Sequence, residues 1–242
     1  QAQIDKLKDL KTGMMQELLT NGIGHTEFKD SPVGRIPAEW DVVRVDEIVT
    51  KVGSGVTPKG GSKAYVSSGI PLIRSQNVHS DGLRLDNVSF ITAEQHQKMK
   101  GSQLQANDVL LNITGASIGR CYYLADDFIE GNVNQHVCII RLKKHVVSHV
   151  FITLLLNGQL GQTQIMSLQA GGNREGLNFQ QIREIKLPLP PIEEQIKISN
   201  TLSSIERKIR IKESKLNAVI KIKKALMQDL LTGKVRVKVD SE

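Results

Sequence analysis

A heptad seam near the C-terminus constrains this chain more than any other feature. From Ile198, alternating steps of four and three residues reach Leu202, Ile205, Ile209, Lys212, Leu216, Val219, Lys223, Leu226 and Leu230, and only the two lysines are polar. An apolar period of about 3.5 residues held over that length predicts a long helix that needs an apolar partner. At about 1.5 Å per residue, a helix over 193–233 reaches roughly 60 Å, longer than a compact domain of this size requires.

The seam occurs twice. Met15-Gln16-Glu17-Leu18-Leu19-Thr20 returns 212 positions later as Met227-Gln228-Asp229-Leu230-Leu231-Thr232. The same offset carries Ile4, Leu7, Lys11, Met14 and Leu18 onto Leu216, Val219, Lys223, Leu226 and Leu230, polar position included. A repeat on both sides of one globular stretch predicts a longer, internally duplicated protein, and a chain that opens on Gln1 inside that repeat is expected to be a piece of it. The expected organisation is the end of a helical region at 1–22, a linker and domain entrance at 23–40 and a globular domain at 41–187. A Pro-rich linker at 188–192, the long helix at 193–233 and a tail at 234–242 follow.

The net charge of +7 over 242 residues favours an acidic partner, and nucleic acid is the commonest one. No apolar run is long enough to span a bilayer, and residues 1–20 read as an amphipathic helix instead of a signal peptide, so a cytoplasmic location is expected. Cys121 and Cys138 lie in β-like apolar segments and read as buried free thiols.

Asn21-Gly22 ends the first helix. The stretch 25–37, broken by Pro32, Gly34 and Pro37, reads as linker; Trp40, with Val42, Val43, Val45 and Ile48 behind it, reads as a core anchor. The glycines of 53–61 suggest an anion-cradling loop, but no Lys-Ser/Thr follows them and the dinucleotide spacing is missed. With Thr57, Lys59 and Lys63 this loop suits a DNA backbone better. The apolar strand 70–73 delivers Arg74, Ser75, Gln76 and Asn77 to its end; Arg suits guanine and Gln or Asn suits adenine in the major groove. The plainer reading is a polar strand end bonding its own turn.

The buried-type strand 108–113 breaks at 114–117, and Ile118-Gly119-Arg120 opens its return, predicting a hairpin with a small exposed tip carrying Thr114, Ser117 and Arg120. Asn134 and Gln135 place amides before the strand 137–142. His136 and Cys138 share a strand face, yet two ligands do not make a zinc site, and no metal is expected. Helical periodicity covers 146–157 and 159–168; Gly171 to Arg174 is a basic loop, with Arg174 available to phosphates. A segment at 179–182 and a strand at 185–187 close the domain. Pro188, Pro190 and Pro191 bar a helix before Ile192, and Glu193-Glu194 favour the helix N-terminus that follows.

Leu187-Pro188-Leu189-Pro190-Pro191-Ile192-Glu193-Glu194-Gln195 resembles the specificity subunit of type I restriction-modification systems. Further motifs of that family cover nearly the whole chain: Gly34-Arg35-Ile36-Pro37 with Trp40, Thr57-Pro58, Gly69 to Ile73, Asp108 to Leu111, Gly115 to Gly119, Asn134-Gln135, and Leu230-Leu231-Thr232-Gly233-Lys234. The resemblance implies an α+β fold: one mixed target-recognition domain with a twisted, largely antiparallel sheet, and long helices forming an antiparallel coiled coil. It places Ile4, Leu7, Met14, Leu18, Ile198, Leu202, Ile205, Ile209, Leu216, Val219, Leu226 and Leu230 in the helical interface. It also implies a non-catalytic subunit reading one part of an interrupted double-stranded DNA target. Modification subunits would bind S-adenosylmethionine and methylate adenine, and motor subunits would use ATP and Mg. Relatives carry two recognition domains and this chain has one, so the other half is missing or comes from a second copy.

Residue chemistry argues against an enzyme. There is no Asn/Asp-Pro-Pro-aromatic segment to hold an adenine and no glycine-rich cofactor strand, while Glu184-Ile185-Lys186 lacks an acidic partner for nuclease chemistry. A helical scaffold without base reading is the remaining alternative. The first helix covers five seam positions, which leaves Ile198 to Ile209 to pack on something else. The rod is expected to act as a ruler that sets the gap in the DNA target.

Overall fold

The structure is a computed structural model that describes residues 1–58, 60–170 and 176–234. Lys59 and Arg174, two expected phosphate contacts, and most of the tail lie outside the described residues. In chain order the elements are α1 (Ala2–Thr20), β1 (Phe28–Ser31), β2 (Gly34–Pro37), β3 (Asp41–Arg44), α2 (Val45–Ile48), β4 (Val49–Ser54), β5 (Ile70–Ile73), β6 (Val78–His79) and β7 (Gly82–Leu83). Then come β8 (Ser89–Ile91), α3 (Ala93–Lys98), β9 (Val109–Asn112), β10 (Cys121–Tyr123), β11 (Asn132–Val133) and β12 (Val137–Leu142). The chain continues through α4 (His149–Asn157), α5 (Gln159–Ala170), α6 (Phe179–Glu184), β13 (Lys186–Leu189) and α7 (Ile192–Leu231).

The chain divides into two compact units: Gln1–Met15 with the residues from Asn200 on, and Gln16–Ser199. In the first unit α1 runs antiparallel to α7. Ile4, Leu7 and Met14 pack with Ile205, Ile209 and Leu216, flanked by Lys8–Glu213 at 2.7 Å, a Lys11–Glu206 pair, and Lys212 Nζ donating to Gln3 at 3.0 Å. This reverses one expectation. Ile205 and Ile209 are covered by α1, while Val219, Leu226 and Leu230 stay exposed. The register explains it: antiparallel pairing sets the short helix against the middle of the seam, and the segment that duplicates α1 projects past it. Ile198 and Leu202 are fully buried and Leu18 is half-buried.

The second unit holds a four-stranded sheet, β10-β9-β12-β4, antiparallel throughout, and a three-stranded sheet, β11-β5-β8, in which β11 and β5 are parallel. Three two-stranded pairs, β1-β2, β3-β13 and β6-β7, complete the described strands, so the expected single sheet is divided into several. Val109, Leu110, Leu111, Ile139 and Ile140 are fully buried, which is why β9 and β12 read as continuous apolar runs instead of alternating ones. Ile73, Val78, Leu104, Leu110, Leu124, Val133, Val137 and Ile139 form the core between the sheets. Apolar around most of its circumference, α4 is buried from Phe151 to Leu156. Its last residue, Asn157, bonds both backbone groups of Cys121, accepting at 3.3 Å and donating at 2.7 Å, and so satisfies the edge of β10.

Two stretches expected to be linkers are structured. The breakers of 25–37 build a hairpin: Gly34, at φ +102°, closes the β1-β2 turn, whose Ser31 hydroxyl donates to the Gly34 carbonyl at 2.6 Å. Pro188 and Leu189 belong to β13, paired with Val42 and Asp41. A proline is tolerated there because β13 has a neighbour on one side only.

The start of α7 fastens this unit together. Glu194 accepts from the Ile23 amide at 2.9 Å, faces His25 Nε2 at 2.9 Å, and accepts from the indole N–H of the fully buried Trp40 at 3.0 Å. Gln195, also buried, accepts from the Ser148 amide at 2.9 Å and donates to the Pro190 carbonyl at 2.8 Å. The acidic pair read as a helix N-terminal preference is thus also a set of long-range ties. Glu194→Gln, which sets an amide donor among these donors, is expected to cost about 2 kcal/mol. Chemical denaturation measures it, and an unchanged midpoint would remove Glu194 from this role.

Cys121 and Cys138 are both paired with Leu111, from opposite sides of β9. Two strand spacings separate them, about 10 Å, beyond the roughly 7 Å that a disulfide spans. Burial pushes the Cys138 thiol up to about 12 and the Cys121 thiol up as well. Both thiols should be inert to Ellman's reagent at pH 8 in the native protein and react fully in denaturant; rapid native labelling would contradict their burial. Because the native values are raised, the stability these thiols contribute is complete below pH about 9 and falls as pH climbs toward 12.

Candidate nucleic-acid interface

One end of the second unit gathers the loops singled out by sequence. β4 leaves the sheet at Ser54, and Gly55 passes so close to β11 that a Cβ would lie 1.7 Å from the Val133 carbonyl oxygen. Its amide donates to the Asn134 carbonyl at 3.1 Å. Glycine is required here for close backbone approach, which accounts for the motif without a phosphate cradle. Thr57 then donates to the side chain of Gln135. The Asn134 amide in turn bonds the Ile73 carbonyl at the end of β5, 3.2 Å away, immediately before Arg74.

The β9-β10 hairpin joins the same cluster. Its tip, Gly115–Ser117, is a 3-10 turn with Gly115 and Ala116 exposed; the return strand starts at Cys121, later than expected. Thr114 Oγ1 lies 2.5 Å from His136 Nδ1, linking tip to loop and giving His136 a structural partner. The fully buried Asn112 donates from one amide nitrogen to the Ser75 carbonyl at 2.9 Å, the Val78 carbonyl at 3.3 Å and Ser117 Oγ at 3.1 Å. Two hydrogens shared among three acceptors bind the 75–78 turn to the hairpin tip.

These bonds bring Thr57, Ser75, Thr114, Ser117 and Gln135 together, with Arg74, Gln76 and Arg120 on the same loops. Gln76, Gln135 and Arg120 are exposed, as is Lys63 in the 3-10 turn Gly61–Ala64. The Arg74 guanidinium lies over the Tyr65 ring, 5.4 Å from its centroid, and its Nε is buried without a partner among the described residues. Such stacking orients a guanidinium without neutralising it.

Two expected base readers are corrected. Asn77 is buried, accepting from the Arg74 amide at 3.0 Å and donating to the Arg84 carbonyl at 2.8 Å. Asn134 is buried too, and its Oδ1 accepts from the His136 amide at 3.1 Å. Both amides shape their own turns, the plainer of the two readings. Sequence reasoning missed Asn112 and Tyr65. A lone amide inside Val109 to Ile113 was a usable signal, since a buried amide must find partners; Tyr65 carried none.

The chain shares its fold with proteins of known structure. The HsdS subunit of Thermoanaerobacter tengcongensis matches 94% of this chain and 51% of its own, with a TM-score of 0.62 at 15% identity. The type I restriction-modification S subunit of M. genitalium matches 94% of this chain and 54% of its own, with a TM-score of 0.63 at 15% identity. At that identity the likeness defines the fold.

Membership rests on sequence. The model of the type I restriction modification DNA specificity domain matches residues 37–221, and the chain belongs to that family. The type I restriction enzyme MjaVIII specificity subunit of Methanocaldococcus jannaschii is 30% identical over 240 residues, 98% of this chain and 56% of that protein. The chain thus spans about half the length of the curated relatives it matches. No helix among the described residues is long and apolar enough to cross a membrane.

Proposed function

We propose that this chain is a non-catalytic, cytoplasmic DNA-recognition module that reads one part of an interrupted duplex target and docks modification subunits through its helices. The observation that carries the reading is the convergence of four loops at one end of the second unit, with Arg74, Gln76, Arg120 and Gln135 on them. Lys63 and Arg120 anchor phosphates, while Arg74 and the exposed amides meet base edges. S-adenosylmethionine, ATP and Mg belong, on this reading, to the partner subunits. The exposed seam from Val219 to Leu230 duplicates the α1 positions that pack on 205–216. Its natural cover is therefore an equivalent of that segment from a second repeat or a second copy, and native mass measurement separates these sources.

The test is an electrophoretic shift against a library of interrupted duplexes with the modification subunit present. A sequence preference is expected; binding without any preference would reject the reading and favour a helical scaffold.

A further inference from the structure

The four-stranded sheet also has an end opposite those loops. β9 and β12 present Asn112 and Val137 to the loops described above, and at the other end of β12 Leu142 lies about 17 Å away by strand length. There a cavity of about 490 Å³ opens, lined among others by Asn107, Arg141, Lys143, Lys144, His145 and His149, with no acidic residue in its wall among the described residues. Arg141 is held by the buried Asp108, at 2.7 Å from Nε to Oδ1 and 2.8 Å from the terminal nitrogen to Oδ2. Lys143 Nζ rests on the Glu47 carbonyl at 2.7 Å, and the Lys144 side chain is exposed.

Three further facts set this cavity apart. Asn107 lines it, and its Oδ1 is buried with no hydrogen-bond partner among the described residues. Asn107 and His145, at φ +69° and +66°, are the only non-glycine residues at positive φ among the described residues, and both line it from separate loops. Backbone in that region costs free energy and clusters at binding sites. Burial holds the His149 ring below its ordinary pKa, so at neutral pH it offers an uncharged ring, which meets Tyr123 in an edge arrangement with centroids 4.9 Å apart.

We propose that this cavity binds a small phosphate ester carrying a hydroxyl or amino donor, the combination found in a nucleoside phosphate. Lys143 and Lys144 take the phosphate, and the unpartnered Asn107 Oδ1 accepts from the donor. A cavity of this size suits a molecule of that class. The lysines supply charge-assisted bonds, and an acceptor already stripped of water favours a ligand that can satisfy it.

Calorimetric titration of the full chain with AMP, ATP and inorganic phosphate tests this. One saturable nucleotide site is expected, weakened about tenfold by Lys144→Glu through loss of a phosphate contact. Asn107→Gly keeps the positive φ and removes only the amide, so it should weaken nucleotide binding several-fold yet leave inorganic phosphate unaffected. Arg74→Ala, at the opposite end of the sheet, should change neither. Absence of saturable binding at millimolar nucleotide would overturn the proposal. So would binding that ignores Lys144→Glu, or binding that disappears with Arg74→Ala.

Discussion

Asp108→Ala is expected to remove about 3–5 kcal/mol of stability, the loss typical when one member of a buried ion pair is deleted. Asp108 is fully buried; it takes both contacts from Arg141 and also accepts from the Gln105 amide at 2.8 Å. Alanine would strand the guanidinium, only 21% exposed, beside an unpaired backbone N–H. For a chain of this length the melting temperature should fall by roughly 10 °C. The pair itself need not add net stability, since its Coulomb energy largely offsets the cost of desolvating both groups. Asp108→Leu combined with Arg141→Met should therefore recover most of the loss. A double variant as unstable as the sum of its singles would mean that the two residues act independently.

The elements most legible in the sequence were those whose pattern was local. The heptad seam gave α7 nearly to its ends, and the runs at 108–113 and 137–142 gave the two central strands to within a residue. The interface was legible as loops, because strand ends and glycines mark turns, but not as side-chain roles. Asn77 and Gln76 are neighbours of similar chemistry, yet one is buried in its own turn and the other exposed, and only the path of the chain through Arg84 decides between them. The linkers failed for a related reason. Pro32, Gly34 and Pro188 are breakers by local chemistry, and whether a breaker ends a fold or shapes a hairpin depends on a partner strand that local composition does not reveal. The register at which α1 meets the seam was equally hidden, since a repeat identifies equivalent positions but not touching ones.

Asn112 should govern base preference while touching no base. Its amide nitrogen is the side-chain tie between the 75–78 turn and the hairpin tip, and Asn112→Ala frees the two loops from one another. Base discrimination needs side chains held in register, because each good bidentate contact contributes about 1–3 kcal/mol only when its geometry is met. Two such contacts loosened together predict a fall in specific affinity of about a hundredfold. Non-specific affinity and its salt dependence should be unchanged, since the charges remain. Lys63→Ala and Arg120→Ala should behave oppositely, each flattening the salt slope by about 0.9 while leaving base preference intact. Binding measured at several salt concentrations, on a preferred and a scrambled duplex, separates the two behaviours. If Asn112→Ala instead lowered both affinities equally, it would be acting through stability. The denaturation midpoint would then fall in proportion, and the two loops would not form one reading surface.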